Sequence, residues 1–403
     1  MFSIYAGLSK QAKLLIYQSI LPAVAFGMFY TDISYFLTSV QGLSYEFMGL
    51  VVTVMGVSTF AACIPLGIAA DRYGRKKMLI IGTLIAGITM AVFALTAEPA
   101  FLLTAAIFEG VSEAALSASS GAFMAEKAEG SQRNNAFALF SFAQSFAYGI
   151  GSLAISGTVI FEIFGFSNKL SHTLLFITLG TLSIVSIFML TKVNESKRPR
   201  KTDNSETKAK IVRKESRGIL AKYVLTSAII ALGAGMVVPL MTAWFHLRYG
   251  ISDATSGPIL GVTSIVIGVV SLAAPSLAKR FGLVKAIVVT QAASTIFMIA
   301  TPLSSNYLVA SSIYMMRAFL MNMASPLSQS MIMGLVDEGE RGAASGVNAA
   351  LWRLPSALST FVGAYLMAMG LLALPFFLAG ILYSFSIALF WRFFKKTKMP
   401  EEC

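Results

Sequence analysis

Five ionisable side chains lie within otherwise apolar stretches of the sequence: Asp32, Glu109, Glu113, Arg317 and Arg353. A charge in a hydrocarbon environment costs at least about 2.5–3.5 kcal/mol on insertion scales, so such residues are functional candidates by default. Carboxyl groups attract cations and exchange protons, whereas guanidinium groups bind carboxylates and phosphates through paired hydrogen bonds. The five residues therefore predict a site for a charged solute, a proton or both.

The two glutamates form a pair on one helix. Glu109 and Glu113 are four residues apart, so they share a face, and Ser117, Ser120 and Gly121 extend that face. Two like charges one turn apart, in a low dielectric, favour the protonated form of at least one of them. This arrangement suits a carrier that takes up a proton and later releases it.

The elements that must hold these residues follow from the composition. Of 403 residues, 56% are hydrophobic and only 12% are charged, whereas soluble domains carry about 25% charged residues. This excludes a soluble enzyme, a disordered chain and, despite a net charge of +12, a nucleic-acid-binding domain. Two cysteines and two histidines without regular spacing predict neither a metal site nor a disulfide framework, and no cofactor motif is present.

The distribution of apolar residues predicts the architecture. A helix needs roughly 20 mainly apolar residues to cross the hydrocarbon core, and twelve windows meet that requirement: about 14–38, 46–70, 78–97, 100–124, 135–160, 172–191, 223–247, 256–278, 284–303, 306–335, 343–369 and 371–393. We expect an all-α membrane protein of twelve transmembrane helices. Its predicted parts are an N-terminal six-helix bundle (1–191), a basic cytoplasmic linker (192–222) and a C-terminal six-helix bundle (223–403) with a short cytoplasmic tail.

The positive charges predict the orientation. With both termini in the cytoplasm, 27 of the 31 Lys and Arg residues fall on the cytoplasmic side, and only Lys169 and Arg248 fall on the other. This is the bias of the positive-inside rule. We therefore expect a multi-pass protein of the plasma membrane with cytoplasmic termini and no cleaved signal sequence.

The two predicted bundles are related by an internal repeat. Shifting the chain by 208 residues brings ten identities into register over residues 27–77, mostly glycines and loop cations. Gly27 falls on Gly235, for example, and Gly74 falls on Gly282. Such a parallel repeat is one of the transporter architectures, in which substrate is held near the midplane between the halves.

The connection after the second span carries a motif, Gly67-Ile-Ala-Ala-Asp71-Arg72-Tyr-Gly74-Arg75-Lys-Lys. In this position, within two repeated sets of six spans, it closely resembles the signature of the major facilitator superfamily. The resemblance implies that Asp71 meets the cytoplasmic end of a helix from the other half and locks the outward-facing state. A carboxylate at a helix N-terminus contributes about 0.3–1 kcal/mol, which biases a two-state equilibrium.

The resemblance also assigns partners to Asp71 in locking that state, which together we call the latch residues. The sequence departs from the family pattern at several positions. Glu126 and Arg133 match the family's charge-network partners, and Asp337 and Arg341 are their counterparts in the second half. The second motif copy has Lys279 in place of Asp71. The arginine of many proton-driven members is Ala106 here, and the fifth span, with Tyr148-Gly149-Ile150-Gly151, lacks the antiporters' Gly-Pro element. These two absences count against the antiporter assignment.

The leading functional hypothesis is a secondary transporter that moves a small organic molecule by alternating access, through proton-coupled export of cationic or amphiphilic compounds. The resemblance implies that spans one, four, seven and ten line the cavity, so Asp32, Glu109 and Glu113 become sites where substrate and proton compete. Aromatic rings near Asp32 would add cation–π surface: Phe29, Tyr30 and Tyr35. No enzyme is expected, because no nucleophile–base pair lies in the spans.

Three alternatives remain open. Arg317 and Arg353 could clamp an organic anion for proton symport, since guanidinium groups bind such anions bidentately. Asp32 and His246, which fall near each other in the repeat, could serve divalent metal export. A non-transporting membrane receptor or scaffold would explain the hydropathy but not the buried charges. The expected partners are a small-molecule substrate, protons and the lipid bilayer, with no nucleic acid, and the expected oligomeric state is a monomer.

Overall fold

The computed structural model describes residues 8–127, 132–195, 214–270, 282–335 and 341–395, and within these ranges the chain is helical without β-strands. We number the α-helices α1 (Lys10–Tyr35), α2 (Tyr45–Tyr73), α3 (Arg75–Leu95), α4 (Pro99–Lys127), α5 (Gln132–Ala154), α6 (Gly157–Ile163), α7 (Asn168–Val185), α8 (Ile187–Thr191), α9 (Lys214–Gly235), α10 (Met241–Tyr249), α11 (Asp253–Val270), α12 (Leu283–Ala300), α13 (Tyr307–Leu335), α14 (Arg341–Ala368) and α15 (Leu374–Phe394).

Nine helical stretches within the described residues are long and apolar enough to cross a membrane: Lys10–Val40, Tyr45–Tyr73, Arg75–Leu95, Pro99–Met124, Leu139–Ile163, Asn168–Thr191, Gly218–Tyr249, Leu283–Leu303 and Leu374–Phe394. A tenth, Asp253–Val269, is apolar but shorter. This confirms the all-α membrane fold. The helix after the polar segment begins at Lys214, nine residues before the predicted window.

Local sequence signals set where several helices begin. Ser9, Ser44 and Ser167 each accept a hydrogen bond from a backbone N–H in the first turn of the following helix, at 3.1, 3.2 and 3.3 Å. These serines satisfy donors that a helix start leaves without partners. Gly74 separates α2 from α3 with φ of 109°, a conformation that residues with a Cβ rarely adopt.

Three spans within the described residues are divided between two α-helices, and one of them, α7 and α8, is divided at Ser186. α5 passes into the short α6 through a turn at Ile155 and Ser156. α9 ends at Gly235, and a 3₁₀ turn at Val238–Leu240, which contains Pro239, separates it from α10. Proline lacks the N–H needed for a helical hydrogen bond, so it ends the regular ladder there.

The internal repeat predicted from the sequence is present as equivalent contacts. Gly27 of α1 packs against the backbone of Tyr148 on α5, and its counterpart Gly235 of α9 packs against the backbone of Ser356 on α14. Tyr148 and Ser356 are themselves 208 residues apart. The hydroxyl of Ser152 donates to the Gly27 carbonyl at 3.0 Å, and that of Thr360 donates to the Gly235 carbonyl at 3.0 Å. Close helix contact through small residues is typical of membrane interiors.

The first and second halves of the chain, before and after the predicted linker, pack together through two helix pairs. Gly49 and Gly56 of α2 pack against Ala364 and Ala357 of α14, and the Thr53 hydroxyl donates to the Ala357 carbonyl at 2.9 Å. On the other side, Gly261 of α11 packs against α5. These contacts fix how the two halves meet beside the first-half helices that hold the candidate site.

Candidate functional site

A cavity of about 480 Å³ is lined by α1, α3, α4 and α5. It extends from Tyr30 and Glu113 toward Leu15 and Gly121, which lie at the end of the molecule where α1 begins and α2 and α4 end. We call this the loop end, because it carries the Asp71–Arg75 connection. The opposite end, where α1 ends and α7 and α11 begin, is the far end.

The wall of the cavity is apolar and aromatic, with a few polar groups. Phe26 stacks on Tyr30 with ring centroids 5.8 Å apart, and Tyr148 and Gln144 face them from α5. The face of α4 predicted to share its direction with Glu113 lines the cavity through Ser117, Ser120 and Gly121. Glu113 is the one charged residue among the described lining residues.

Glu113 connects three helices besides its own. Its Oε2 accepts hydrogen bonds from the Thr59 hydroxyl of α2 at 3.1 Å and the Tyr30 hydroxyl of α1 at 3.4 Å, and its Oε1 pairs with the Arg353 guanidinium of α14. The Glu113 side chain is 18% exposed and that of Arg353 is 44% exposed. This ion pair therefore joins the two halves of the chain at a partly exposed position.

Glu109 lies outside the cavity lining. Its side chain is fully buried, and its Oε2 accepts a hydrogen bond from the Thr89 hydroxyl of α3. Its Oε1 has no hydrogen-bond partner within the described part of the chain. The predicted joint site of the two glutamates is thus divided in this conformation, with Glu113 facing the cavity and Glu109 facing α3.

Arg317 is buried among tyrosines. Its Nη2 donates to the Tyr383 hydroxyl at 2.9 Å, and its guanidinium carbon lies 5.4 Å from the ring centroid of Tyr314. Among the described residues it forms no ion pair with a carboxylate. Arg317 and Arg353 consequently occupy different environments, and only Arg353 meets an acidic side chain within the described ranges.

Asp32 belongs to a cluster at the far end that the sequence analysis did not anticipate. His172 of α7 places its Nε2 2.8 Å from Oδ2 of Asp253 on α11 and 3.7 Å from Oδ2 of Asp32 on α1. All three side chains are buried. Asp32 and His172 come from the first half of the chain and Asp253 from the second.

Further contacts close the far end between the halves. The Thr242 hydroxyl of α10 donates to the Thr31 carbonyl of α1. The His246 ring contacts the Tyr35 ring edge-on, with centroids 5.0 Å apart, and the Ser156 hydroxyl donates to the Ala254 carbonyl at 2.7 Å. These contacts join the two halves at the end opposite to the cavity.

The predicted aromatic surface is partly elsewhere. Tyr30 lines the cavity, but Phe29 is buried against Phe93 and Phe176. The expectation that Phe29 contributes cation–π surface is not met in this conformation, because the ring points into the helix core. Phe26, one turn earlier on α1, takes the position beside Tyr30.

At the loop end, Arg75 forms ion pairs with two acidic side chains. Its guanidinium pairs with Asp71 at 3.0 Å and with Glu126 at 3.5 Å, and it donates to the Ala122 carbonyl at 2.7 Å. Its backbone N–H donates to Oε1 of Glu195 at 2.6 Å. Glu195 was missed in the sequence because it lies 120 residues away, in the predicted linker.

Of the remaining latch residues, some lie within the described part of the chain and others do not. Arg72 is exposed, and no other residue lies within 4 Å of where a Cβ of Gly67 would be. Asp337 and residues 271–281, which include the first part of the second motif copy, lie outside the described residues, as do the side chains of Arg133 and Arg341. The meeting of Asp71 with the other half therefore stays a prediction.

Comparisons with known proteins agree with this architecture. The sequence matches the family model of the Major Facilitator Superfamily over residues 18–360 and 224–402. Multidrug resistance protein 2 of Bacillus subtilis is 25% identical over 240 residues, covering 58% of each chain. An uncharacterised MFS-type transporter of Methanocaldococcus jannaschii is 21% identical over 238 residues, covering 58% of this chain and 60% of its own. This chain thus spans less than two thirds of the length of these relatives.

Solved structures share the fold at low sequence identity. The nucleoside transporter NupG superposes with a TM-score of 0.73 at 14% identity, covering 97% of this chain and all of its own. A D-xylose–proton symporter gives 0.74 at 17% identity, with 94% and 97% covered.

The repeated helices and their lengths define an all-α membrane protein with a cavity in its first half. The chain belongs to the Major Facilitator Superfamily, because the family model matches most of its length.

Proposed function

We propose that this protein is a secondary transporter that exports cationic or amphiphilic small organic molecules in exchange for protons. The observation that carries the proposal is the cavity, whose apolar and aromatic wall contains one carboxylate, Glu113, among its described lining residues. An apolar pocket with a few convergent polar groups is the usual form of a small-molecule site. A single carboxylate in such a pocket selects for positive charge.

Arg353 acts in this proposal as an internal counter-ion. In the absence of substrate its guanidinium neutralises Glu113. A cationic substrate competes for the same carboxylate, with Tyr30 and Phe26 supplying aromatic faces that attract cations by about 0.5–2 kcal/mol. Protonation of Glu113 abolishes its charge and releases both partners. Because the pair joins the two halves, its exchange couples cavity occupancy to their relative position.

The contacts at the far end support a direction for loading. In the orientation predicted from the Lys and Arg distribution, the loop end faces the cytoplasm, and the cavity extends toward that side. The far end is held together by contacts between the halves at Thr31, Tyr35 and His172. This conformation fits a transporter that loads substrate from the cytoplasm. The plasma membrane, cytoplasmic termini and the division at 192–222 are parts of the same proposal.

The multidrug resistance relative agrees with a cationic or amphiphilic substrate, whereas the nucleoside and sugar transporters support the fold alone. Asp32 and Glu109 keep their predicted part in proton handling, although neither lines the cavity. The symport alternative, in which an organic anion binds Arg353, retains one supporting observation, the 44% exposure of that side chain. A single assay separates the two hypotheses.

The test is proton movement in proteoliposomes that contain a trapped pH dye. Lipophilic cations and organic anions are added in turn to the wild type, to Glu113→Gln and to Glu98→Gln, which alters an exposed acid outside the cavity. We expect a cation-evoked proton flux in the wild type and in Glu98→Gln but not in Glu113→Gln. A flux evoked by anions and lost in Arg353→Gln would support symport instead. Cation flux that survives in Glu113→Gln at the wild-type rate would refute the site.

A further inference from the structure

The far-end cluster of Asp32, His172 and Asp253 has the chemistry of a metal site. Their ligand atoms lie within 4.8 Å of one another, and each residue belongs to a different helix: α1, α7 and α11. The three side chains are 0, 0 and 1% exposed. None of the three lines the cavity assigned to the substrate.

The hydrogen bonds of His172 fix which nitrogen faces the carboxylates. Its Nδ1 lies 2.8 Å from the Asn168 carbonyl oxygen, which can only accept, so Nδ1 carries a proton. Its Nε2 hydrogen-bonds Oδ2 of Asp253 at 2.8 Å and faces Oδ2 of Asp32 at 3.7 Å. A metal ion that binds here replaces the proton of the Nε2–Asp253 hydrogen bond, so binding releases a proton. A metal-binding histidine commonly donates its second ring N–H to a backbone carbonyl in this way, which sets its tautomer and orientation.

Asp32 supplies a second, independent observation. Neither of its carboxylate oxygens receives a hydrogen bond from any donor in the described part of the chain, although the side chain is fully buried. A buried carboxylate without a hydrogen-bond donor is unfavourable by several kcal/mol unless a nearby cation or a proton compensates it. Its Oδ2 is directed at the same Nε2 that contacts Asp253, at 3.7 Å.

The donor set and its spacing suit a particular class of ion. One imidazole and two carboxylates are ligands that Zn²⁺ and similar divalent ions accept, at bond lengths of about 2.0–2.2 Å. In a tetrahedral site, donors at those bond lengths lie roughly 3.3–3.6 Å apart. The two nitrogen–oxygen distances, 2.8 and 3.7 Å, fall on either side of that range. Small side-chain movements therefore complete the geometry.

We propose that Asp32, His172 and Asp253 bind a divalent transition-metal ion of the zinc class, which ties the two halves of the chain together at the far end. The site needs residues from both halves, so the ion binds best when this end is closed. A ligand stabilises the conformation that it binds more tightly. The ion accordingly holds the far end shut and acts on the transporter as a regulator, separately from the substrate.

The chain offers a matched control for the test, because it contains two histidines. His246 lies near the cluster, against Tyr35, but its Nδ1 faces the Ile251 carbonyl at 3.1 Å and it is not a member of the cluster. The full chain, purified without a polyhistidine tag, is titrated with Zn²⁺ by calorimetry and with Co²⁺ by visible absorption. Both methods measure metal binding without transport, so their results do not depend on the proposed function.

We expect one ion per chain in the wild type and in His246→Gln, and binding at least 10-fold weaker in His172→Gln, Asp32→Asn and Asp253→Asn. Asp32→Asn keeps the experiment decisive if the other variants fail to fold. It removes an unpartnered carboxylate, so the metal-free protein should melt at the same temperature as the wild type or higher, while the rise in Tm on adding Zn²⁺ disappears. Equal Zn²⁺ affinity in the wild type and Asp32→Asn, or no binding by the wild type, would overturn the proposal.

Discussion

The ion pair between Glu113 and Arg353 gives the sharpest prediction, because it links the cavity to the contact between the halves. The perturbation is a double-mutant cycle of Glu113→Gln, Arg353→Gln and the combined variant. Removing one partner of a fully buried pair costs about 3–5 kcal/mol, since the other charge is left uncompensated. Exposed pairs contribute only about 0–1 kcal/mol.

The structure places this pair between those limits. Arg353 is 44% exposed, whereas Glu113 is 18% exposed and keeps two hydroxyl partners, Thr59 and Tyr30. The partial exposure and the remaining hydroxyl partners reduce the expected coupling to about 1 kcal/mol, the order found for a partly exposed charged hydrogen bond. We expect Arg353→Gln to lower stability by about that amount and to tighten cation binding several-fold, because the internal competitor for Glu113 is gone.

The assay measures thermal unfolding in detergent and equilibrium binding of a fluorescent lipophilic cation for all four proteins. Tighter binding in Arg353→Gln should be accompanied by slower exchange in proteoliposomes, because no guanidinium competes with the bound cation for the Glu113 carboxylate. In the Glu113→Gln background, Arg353→Gln should have little further effect on affinity. An Arg353→Gln protein that binds the cation more weakly than the wild type would refute the counter-ion mechanism.

Other predictions concern the helix packing and the loop end. Gly27→Ala places a Cβ onto the Tyr148 carbonyl and should lower stability by about 1–3 kcal/mol or more. Gly218→Ala, whose Cβ would meet no described atom outside its own helix within 4 Å, should be neutral or stabilising. Equal melting temperatures of the two variants would contradict the α1–α5 contact. Gly74→Ala forces φ of 109° on a residue with a Cβ and should lower the free energy of unfolding by about 1–3 kcal/mol. Thermal unfolding measures this loss, and an unchanged melting temperature would contradict the prediction. Glu195→Gln weakens the acceptor for the Arg75 N–H and should lower the stability by about 0.3–1 kcal/mol, with a smaller loss at high salt. A loss of stability that does not depend on salt would contradict a role for the Glu195 charge at the start of α3.

The spans could be predicted because lipid accepts no unpaired backbone polar groups, so each crossing leaves a long apolar stretch. The charged residues in those stretches, including Glu113 and Arg353, were identified for the same reason. Their pairing was not, because nothing in the sequence relates positions on α4 and α14 that the fold brings together. Which of Glu109 and Glu113 faces the cavity depends on the rotation of α4, and residues four apart differ by too small an angle to decide it.

The far-end cluster escaped prediction for a different reason. His172 and Asp253 lie near the starts of α7 and α11, at the edges of apolar windows, where polar residues are ordinary. A signal was nevertheless present. In an alternating topology, the end of the first span and the starts of the sixth and eighth spans lie at the same depth, so Asp32, His172 and Asp253 share one level. Only their lateral positions required the structure.

The interruption between α9 and α10 has a mechanical consequence. The repeat places it opposite residues 28–32 of α1, where the helix is continuous, so the two halves differ in stiffness at equivalent points. α10, a helix of nine residues, carries Thr242 and His246, which contact α1. The non-α-helical segment Met236–Leu240 separates α10 from α9, so the contacts of α10 with α1 can break without a change in the packing of α9.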